Sequence, residues 1–550
     1  MKNAKKLMAV LLSLIMCLAI FSACAGNDDG QSSSQGEGDT GTSEPSQAPA
    51  EPGGEALPLT EETVTLTVWT RMVQSTQAGI TSLNDVLAIQ ELEARTNVHI
   101  EWLHPAIGQE QENFNLLISS GEYPDIFFGL KDFYSGGLEK AYEDDVIIRL
   151  NDIIEEYSPN YNEMRHRNKE VEKGTITDSG NILSYHALST PKQGPWYGTA
   201  VRKDWLDDLG LDIPVTYDDW HEMLTAFKEE KGATAPLWIH NRGTDFFGVL
   251  SAGYGVMHLG TSPNTGFYQE DGQVKYGPAE EGYREYITML AQWYSEGLID
   301  PDYYARNDLL APDELVNTGK TGAMPDSYAL LPLHKMMAGD ENMHWVAVPY
   351  PVKEVGDQLH LGMRSNEVGA NASITTACED VELAAKWFDY ITTDEASLLL
   401  AYGIEGETFE MVDGKPVPND MILNNPDGLS VADARDKYTY AGMPGGKYYW
   451  ERELVGLEDD ALEAINVIWE ESSDAEWVMP SDVSMTAEEG SEFSRIMGDI
   501  DTYATEMTTK FIIGAESLDK FDEYVETIKS MGLDGAIAVR QAALDRYSAR

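Results

Sequence analysis

The run of segments that begins at Thr63 leaves few folds open to this chain. "TVTLTVWT" alternates β-branched and apolar residues as a buried strand does, "LNDVLAIQELEART" follows with helical spacing, and "VHIEWL" is a second strand. In "QENFNLLISSGEYPDIFFG", Phe114, Leu117 and Ile118 share one helix face, Gly121 ends the helix and "DIFF" returns to extended chain. Strand, helix, strand, helix, strand is the rhythm of an α/β lobe with a largely parallel sheet.

A second block follows "NILSYHALS". In "VRKDWLDDLGLDIPVTYDDWHEMLTAFKEE" a helix closes at Gly210, and a new one is capped by Thr216 with Asp219 three residues on. That helix sets Trp220, Leu224 and Phe227 on one face, and "EGYREYITMLAQWYSEGLIDP" repeats the pattern with Tyr286, Leu290 and Trp293. "QEDGQVKYG" and "MVDGKPV" each carry an Asp-Gly turn between extended residues and predict hairpins. The stretch from about Ser491 is mainly helical. From Thr63 to Arg550 the chain is long enough for two or more lobes, each with its own core.

The region before Thr63 is of another kind. Leu7 to Ala23 carries no charge and follows Lys2, Lys5 and Lys6. At roughly 17 residues it is short for a bilayer span, where about 20 are usual, and it has the layout of a secretory signal. "FSAC" resembles the bacterial lipoprotein box, with Phe21 where Leu is commoner, so residues 1–23 are expected to be cleaved and Cys24 to be lipidated. An uncleaved anchor or a plainly secreted chain are the alternatives. Residues 24–60, almost wholly Gly, Ser, Pro, Gln, Thr and acid, cannot bury enough to offset their chain entropy and read as a disordered tether.

Charge and cysteines narrow the partners. A formal charge of −56 argues against nucleic acid or an anionic lipid surface as ligand, since both need clustered Lys and Arg. Cys17 and Cys24 fall in the leader, so Cys378 alone remains and no internal disulfide is expected.

Five stretches, in this order, carry a resemblance: "LISSGEYPDIFF", "VRKDWLDDLGLDIPVTYDDW", "WYSEGLIDPDYY" with "GKTGAMPDSY", "SITTACEDVELAAKWFDYITTDEASLLLAYGIEGETF" and "FIIGAESLDKFDEYVETIKSMGLDGAIAVRQAALDRY". The chain resembles the bacterial extracellular solute-binding proteins of family 1, the lipid-anchored receptor subunits of carbohydrate ABC importers. The resemblance implies a two-lobed periplasmic-binding-protein-like α/β fold, each lobe a mostly parallel sheet flanked by helices, with the ligand cleft between lobes. It puts residues 61–190 plus about 363–415 in lobe 1, and about 191–362 plus 416–550 in lobe 2. It implies a monomer without cofactor, not an enzyme, that closes on a carbohydrate, expected to be an oligosaccharide, and delivers it to permease subunits at the outer face of the cytoplasmic membrane. Some family members bind calcium after the helix that here holds Trp220. "FKEEKGATAPLWI" lacks the alternating oxygen ligands of such a loop, so no metal is expected there.

Sugar sites stack aromatic faces on pyranose rings and bind hydroxyls through carboxylates, amides and guanidinium groups. The candidates are residues where strands run into loops: Trp69 and Arg71, Asp132 and Tyr134, Trp196 and Tyr197, Asp326 and Tyr328, and Trp450. Core packing is the competing reading of each aromatic, and a surface ion pair that of each charge. Trp205, Trp220, Trp293 and Trp387 lie on apolar helix faces and are assigned to the core. "HEMLT" lacks the second His of a zinc-protease helix, and His258 interrupts the dinucleotide fingerprint in "GYGVMHLG". A receptor for a peptide or organic anion, and a secreted glycosidase using two of the many carboxylates, stay open as alternatives. The low count of basic residues favours a neutral glycan.

Overall fold

β1 (Val64–Trp69) buries Leu66 and Val68 on alternate positions and pairs in parallel with β2 (Val98–Leu103) along its length, and with β3 (Ile126–Phe128) on its other side. The connecting helices end where the chain must turn back. Leu87–Thr96 stops at a left-handed Asn97 next to β2, and Glu110–Ser120 stops at Gly121 as expected. β4 (Tyr185–Ser189) completes this first pass.

The chain then crosses to a second sheet through β5 (Tyr197–Arg202). Thr216 and Asp219 form the expected capping box of helix Tyr217–Glu230. β6 (Phe267–Glu270) and β7 (Gln273–Tyr276) form the first expected hairpin, with Asp271 and Gly272 both at positive φ, the conformation its two-residue turn requires. β8 (Ala323–Ser327) and β9 (Trp345–Ala347) flank β5, both antiparallel to it. β10 (Val368–Ile374) returns to the first sheet, antiparallel between β3 and β4. β11 (Phe409–Val412) and β12 (Lys415–Pro418) are the second hairpin, and β13 (Lys447–Tyr448) pairs in parallel with β4. The first sheet thus has the order β13-β4-β10-β3-β1-β2 and the second β8-β5-β9.

The computed structural model describes residues 57–72, 78–189, 193–240, 248–260, 265–306, 311–363 and 366–550. Cys24, the expected signal and nearly all of the expected tether lie outside them. No helix of the described residues is long and apolar enough to cross a membrane. Cys378 is free and buried, and burial pushes its thiol up to about 12, leaving it protonated and unreactive at neutral pH.

Two lobes of α/β structure with separate cores follow from this path. One core gathers Leu66, Ile100, Phe128, Tyr185, Trp387 and Phe388; the other gathers Trp205, Trp220, Phe227, Tyr286, Trp293 and Phe493. Two expectations need correction. The return to the first lobe does not end near 415, because Tyr440 and Met443 pack into its core and β13 lies in its sheet. The second sheet is not mostly parallel: its ladders at β5 are antiparallel, and parallel pairing shrinks to single bridges of Leu237 with Ile299 and Ala323. Pro236, lacking an N–H, stops that parallel ladder from extending.

Candidate functional site

A cavity of about 530 Å³ lies between the lobes. The first lobe contributes Lys131, Asp132 and Tyr134, which follow β3, and His186 of β4. Asn371 of β10 pairs with His186 while Ala372 pairs with Phe128, so His186 stands just past the carboxyl end of β3, where open α/β sheets hold ligands. The second lobe contributes Met257, Phe267, the segment from Val478 to Met485, and Arg540 of the C-terminal helix Leu533–Ala549.

The polar groups differ in how far they are committed. Lys131 Nζ donates to the Ser481 carbonyl at 3.2 Å and lies 3.6 Å from Asp482 Oδ1, joining the lobes along one wall. Burial raises the Asp482 carboxyl above its ordinary range, and Lys131 only partly offsets this. His186 is buried, with Nε2 2.9 Å from Ser184 Oγ and Nδ1 3.3 Å from the Gly369 carbonyl; burial, then the Lys131 charge, pulls its pKa down to about 3. It is therefore neutral. Tyr134 donates to Asp144 Oδ2 at 2.8 Å, and burial with that hydrogen bond raises its phenol. Asp132 is exposed, and its carboxylate has no hydrogen-bond partner among the described residues.

A second group of candidates meets where the chain crosses between lobes. The half-buried Trp196 ring lies 5.7 Å from Tyr328, 5.0 Å from Trp450 and 6.3 Å from Tyr448. Its indole N–H donates to Gln193 Oε1 at 2.8 Å, and its backbone N–H to Met363 Sδ. Trp469 lies flat on Gly198, where a Cβ would come within 2.4 Å of the indole, so only glycine admits that ring. Beneath this cluster Arg452 donates to the Ala401 carbonyl at 2.6 Å and to Thr439 Oγ1 at 2.6 Å, and it pairs with Glu453, which also meets Arg435 at 3.4 Å. Tyr328 and Trp450 are nearly fully buried, whereas Trp196 and Tyr448 are half-buried.

The remaining candidates are placed elsewhere. Trp69 is 1% exposed among Phe114, Phe127 and Phe133, with its indole N–H donating to Asn113 at 2.8 Å. As the last residue of β1 it turns toward helix Glu110–Ser120, and it is a core residue. Asp326 is likewise buried: Oδ2 is 2.6 Å from His334 Nε2 and Oδ1 accepts from the Ser327 N–H at 2.8 Å, so its oxygens are spent within the lobe. Tyr197 is half-buried in β5, its phenol raised by burial and then by Asp326. Arg71 is exposed at the end of β1, with Glu110 and Tyr440 as electrostatic neighbours.

Lys131, His186 and Arg540 were not among the expected residues. A histidine inside the apolar strand "SYHALS" is a signal that sequence offers; "AVRQAALD" offers none for Arg540. For a metal, His360, Asp474 and Glu476 bring ligand atoms within 4.8 Å of one another at the surface, but His360 Nδ1 is already bonded to Asp474 at 2.9 Å. The segment after helix Tyr217–Glu230 spends its backbone on Phe227 and Lys320, and Glu229 and Glu230 stay on the helix.

The sequence profile of the bacterial extracellular solute-binding protein family matches residues 83–397. The fructooligosaccharide ABC transporter substrate-binding protein FusA of Streptococcus pneumoniae is 25% identical over 509 residues, 85% of this chain and 88% of its own. The polygalacturonan/rhamnogalacturonan-binding protein YtcQ of Bacillus subtilis is 23% identical over 466 residues, 81% of this chain and 85% of its own. Among solved structures, the alginate-binding protein AlgQ2 without calcium ion superposes with a TM-score of 0.73 at 25% identity, covering 89% of this chain and all of that one. FusA in complex with kestose gives 0.69 at 23% identity, over 88% and 99%. These relatives are binding proteins.

Proposed function

The chain belongs to the bacterial extracellular solute-binding proteins, and from that premise we propose that it is a receptor that closes on an oligosaccharide and passes it to the permease of an ABC importer. The observation that carries the reading is a cavity built by both lobes at the carboxyl end of β3. A solute there touches both lobes at once, contacts that only the closed arrangement offers, so binding shifts the population toward closure and the permease reads that state. FusA, with its kestose complex, and AlgQ2, named for alginate, set the ligand class as carbohydrate. Trp196, half-buried at the crossing and outside the lining of that cavity, with its indole N–H held by Gln193, is the platform we assign to a further ring of an oligosaccharide that reaches the crossing.

In this reading Cys24 carries the lipid and residues 24–60 tether a monomeric receptor to the outer face of the cytoplasmic membrane, which raises its concentration at the permease. The chain carries out no hydrolysis. Thermal unfolding with a panel of oligosaccharides, with peptides as controls and product analysis on the same samples, tests all of this. A ligand that binds the native state raises the melting temperature by mass action. We expect one glycan class to stabilise the protein and be recovered intact, and Trp196→Ala to weaken its binding about tenfold, as loss of one aromatic contact would. Cleaved glycan would mean a glycosidase, and a shift with peptides alone a receptor for another solute.

A further inference from the structure

The cavity contains a cation whose charge no carboxylate among the described residues answers. Arg540 Nε is buried without a hydrogen-bond partner, and Nη2 donates only to the thioether of Met479 at 3.7 Å. The guanidinium lies 5.8 Å from the Phe267 ring centre and 5.9 Å from that of Phe493. Both lie at the outer edge of cation–π range, so the rings offset part of the desolvation of the charge but supply no counter-charge. Arg202 shows the contrast, at 4.5 Å over Trp205 and with a carboxylate as well.

Other buried or half-buried arginines end on oxygen. Arg165 reaches Thr175 and Asn162, Arg202 reaches Asp204, and Arg435 and Arg452 share Glu453. In a chain with 94 Asp and Glu against 38 Lys and Arg, a carboxylate for Arg540 is the easiest partner to supply. Among the described residues none stands within ion-pair distance. Leaving a desolvated guanidinium without a counter-charge costs stability, and burial alone pulls its pKa down to about 10. Such a cost is met in the complex when the missing anion arrives with the ligand.

We propose that the cavity takes an acidic oligosaccharide, with a sugar carboxylate paired to the Arg540 guanidinium; this deepens, and rests on, the receptor reading above. A uronate supplies a planar carboxylate that matches the guanidinium fork, while its remaining hydroxyls can donate to the free carboxylate of Asp132 from the other lobe. The three acids in the cavity wall do not cancel the site: the buried Glu139 carboxylate is taken up by hydrogen bonds from Thr177 and Asn181. Asp482 faces Lys131 and is pushed toward its neutral form by burial, and Asp132 is exposed. The preference for a neutral glycan, drawn from the low count of basic residues, is reversed by one well-placed cation.

The test is calorimetric titration of the full chain with uronate trisaccharides of galacturonate, mannuronate and glucuronate type, each beside its own methyl ester, and with a neutral fructose trisaccharide. We expect one acid to bind about ten- to hundredfold tighter than its ester, the range of a charge-assisted hydrogen bond. Arg540→Gln should remove that difference by weakening the acid far more than its ester, and Arg540→Lys should keep part of it. The acid-versus-ester comparison on the unaltered chain needs no variant, so it stands even if Arg540→Gln folds poorly. If no acid outbinds its ester, or the preference survives Arg540→Gln, the assignment is overturned. Binding of the neutral trisaccharide alone removes the acidic ligand and leaves the carbohydrate receptor intact. If no sugar binds at all, both fall.

Discussion

The two lobes are joined on opposite terms at two places. Where the chain crosses between them, Arg452 at the start of the second lobe is buried and bonded to the first-lobe residues Ala401 and Thr439, under the cluster of Trp196, Tyr328 and Trp450. On the C-terminal side the lobes meet at Lys131 with Ser481 and Asp482, at the close approach of Gly490 to Gly136, and at the last turns of the C-terminal helix. Arg546 donates to Asp178 at 2.7 Å and to Glu489 at 2.9 Å, and Arg550 donates to Asp178 at 3.0 Å and to the Lys173 carbonyl at 2.6 Å. The first junction is continuous chain around buried polar groups, and the second includes a set of partly exposed ion pairs at a helix end, where fraying begins. A cleft that opens would therefore pivot at the crossing and part at the C-terminal helix.

The largest expected effect is at the crossing. Arg452→Ala leaves the Ala401 carbonyl without its partner and Glu453 with Arg435 alone, and removing one member of a buried charged network costs about 3–5 kcal/mol. Urea unfolding followed by tryptophan fluorescence measures it. A loss below about 1 kcal/mol, the range of a surface pair, would remove the distinction between the two junctions.

A pH series sharpens the comparison next, because the cavity wall beside the second junction holds a histidine whose folded pKa is depressed to about 3. The unfolded chain takes up that proton near pH 6.5 while the folded chain refuses it, so stability is full above that pH and falls as pH drops toward 3. The slope is about 1.4 kcal/mol per pH unit between roughly pH 6 and 4. Asp482 acts with the opposite sign, since its raised pKa favours the folded state as protons bind. His186→Gln should flatten the profile over that window relative to the unaltered chain, and an unchanged slope would place the imidazole within reach of water.

How much of this was legible beforehand depended on range. The Thr216–Asp219 box, both Asp-Gly hairpins and the burial of Trp205, Trp220, Trp293 and Trp387 follow from spacings of a few residues, and the structure contains all of them. Trp69 and Asp326 went astray because a strand end can turn its side chain either to a loop or to the layer beneath. The aromatic at 69 and the carboxylate at 326 each found a partner, Asn113 and His334, that no local pattern announces. The extension of the first lobe to β13 depends on pairing with β4, more than 250 residues earlier in the numbering. Arg540 was invisible for a sharper reason: it is marked by the absence of a partner, and absence has no sequence motif.

The smallest expected effect is at the C-terminal junction. Asp178 is nearly fully buried and serves both Arg546 and Arg550, whose side chains keep 33% and 11% of their exposure, so part of their hydration survives its loss. Asp178→Asn should cost about 1–2 kcal/mol, less than a fully buried pair, because the arginines retain Glu489 and backbone carbonyls to bond. Its more telling consequence is geometric. With this junction weakened and the crossing intact, the lobes should part, which small-angle scattering reads as a larger radius of gyration for the unliganded chain. Ligand affinity should then fall, because part of the binding energy goes into restoring closure. Raising the salt concentration should move the unaltered chain in the same direction, since partly exposed pairs are screened while the network under Trp196 is not. If instead Asp178→Asn leaves the scattering curve unchanged and lowers stability as much as Arg452→Ala, both junctions are equally structural and the pivot cannot lie at the crossing.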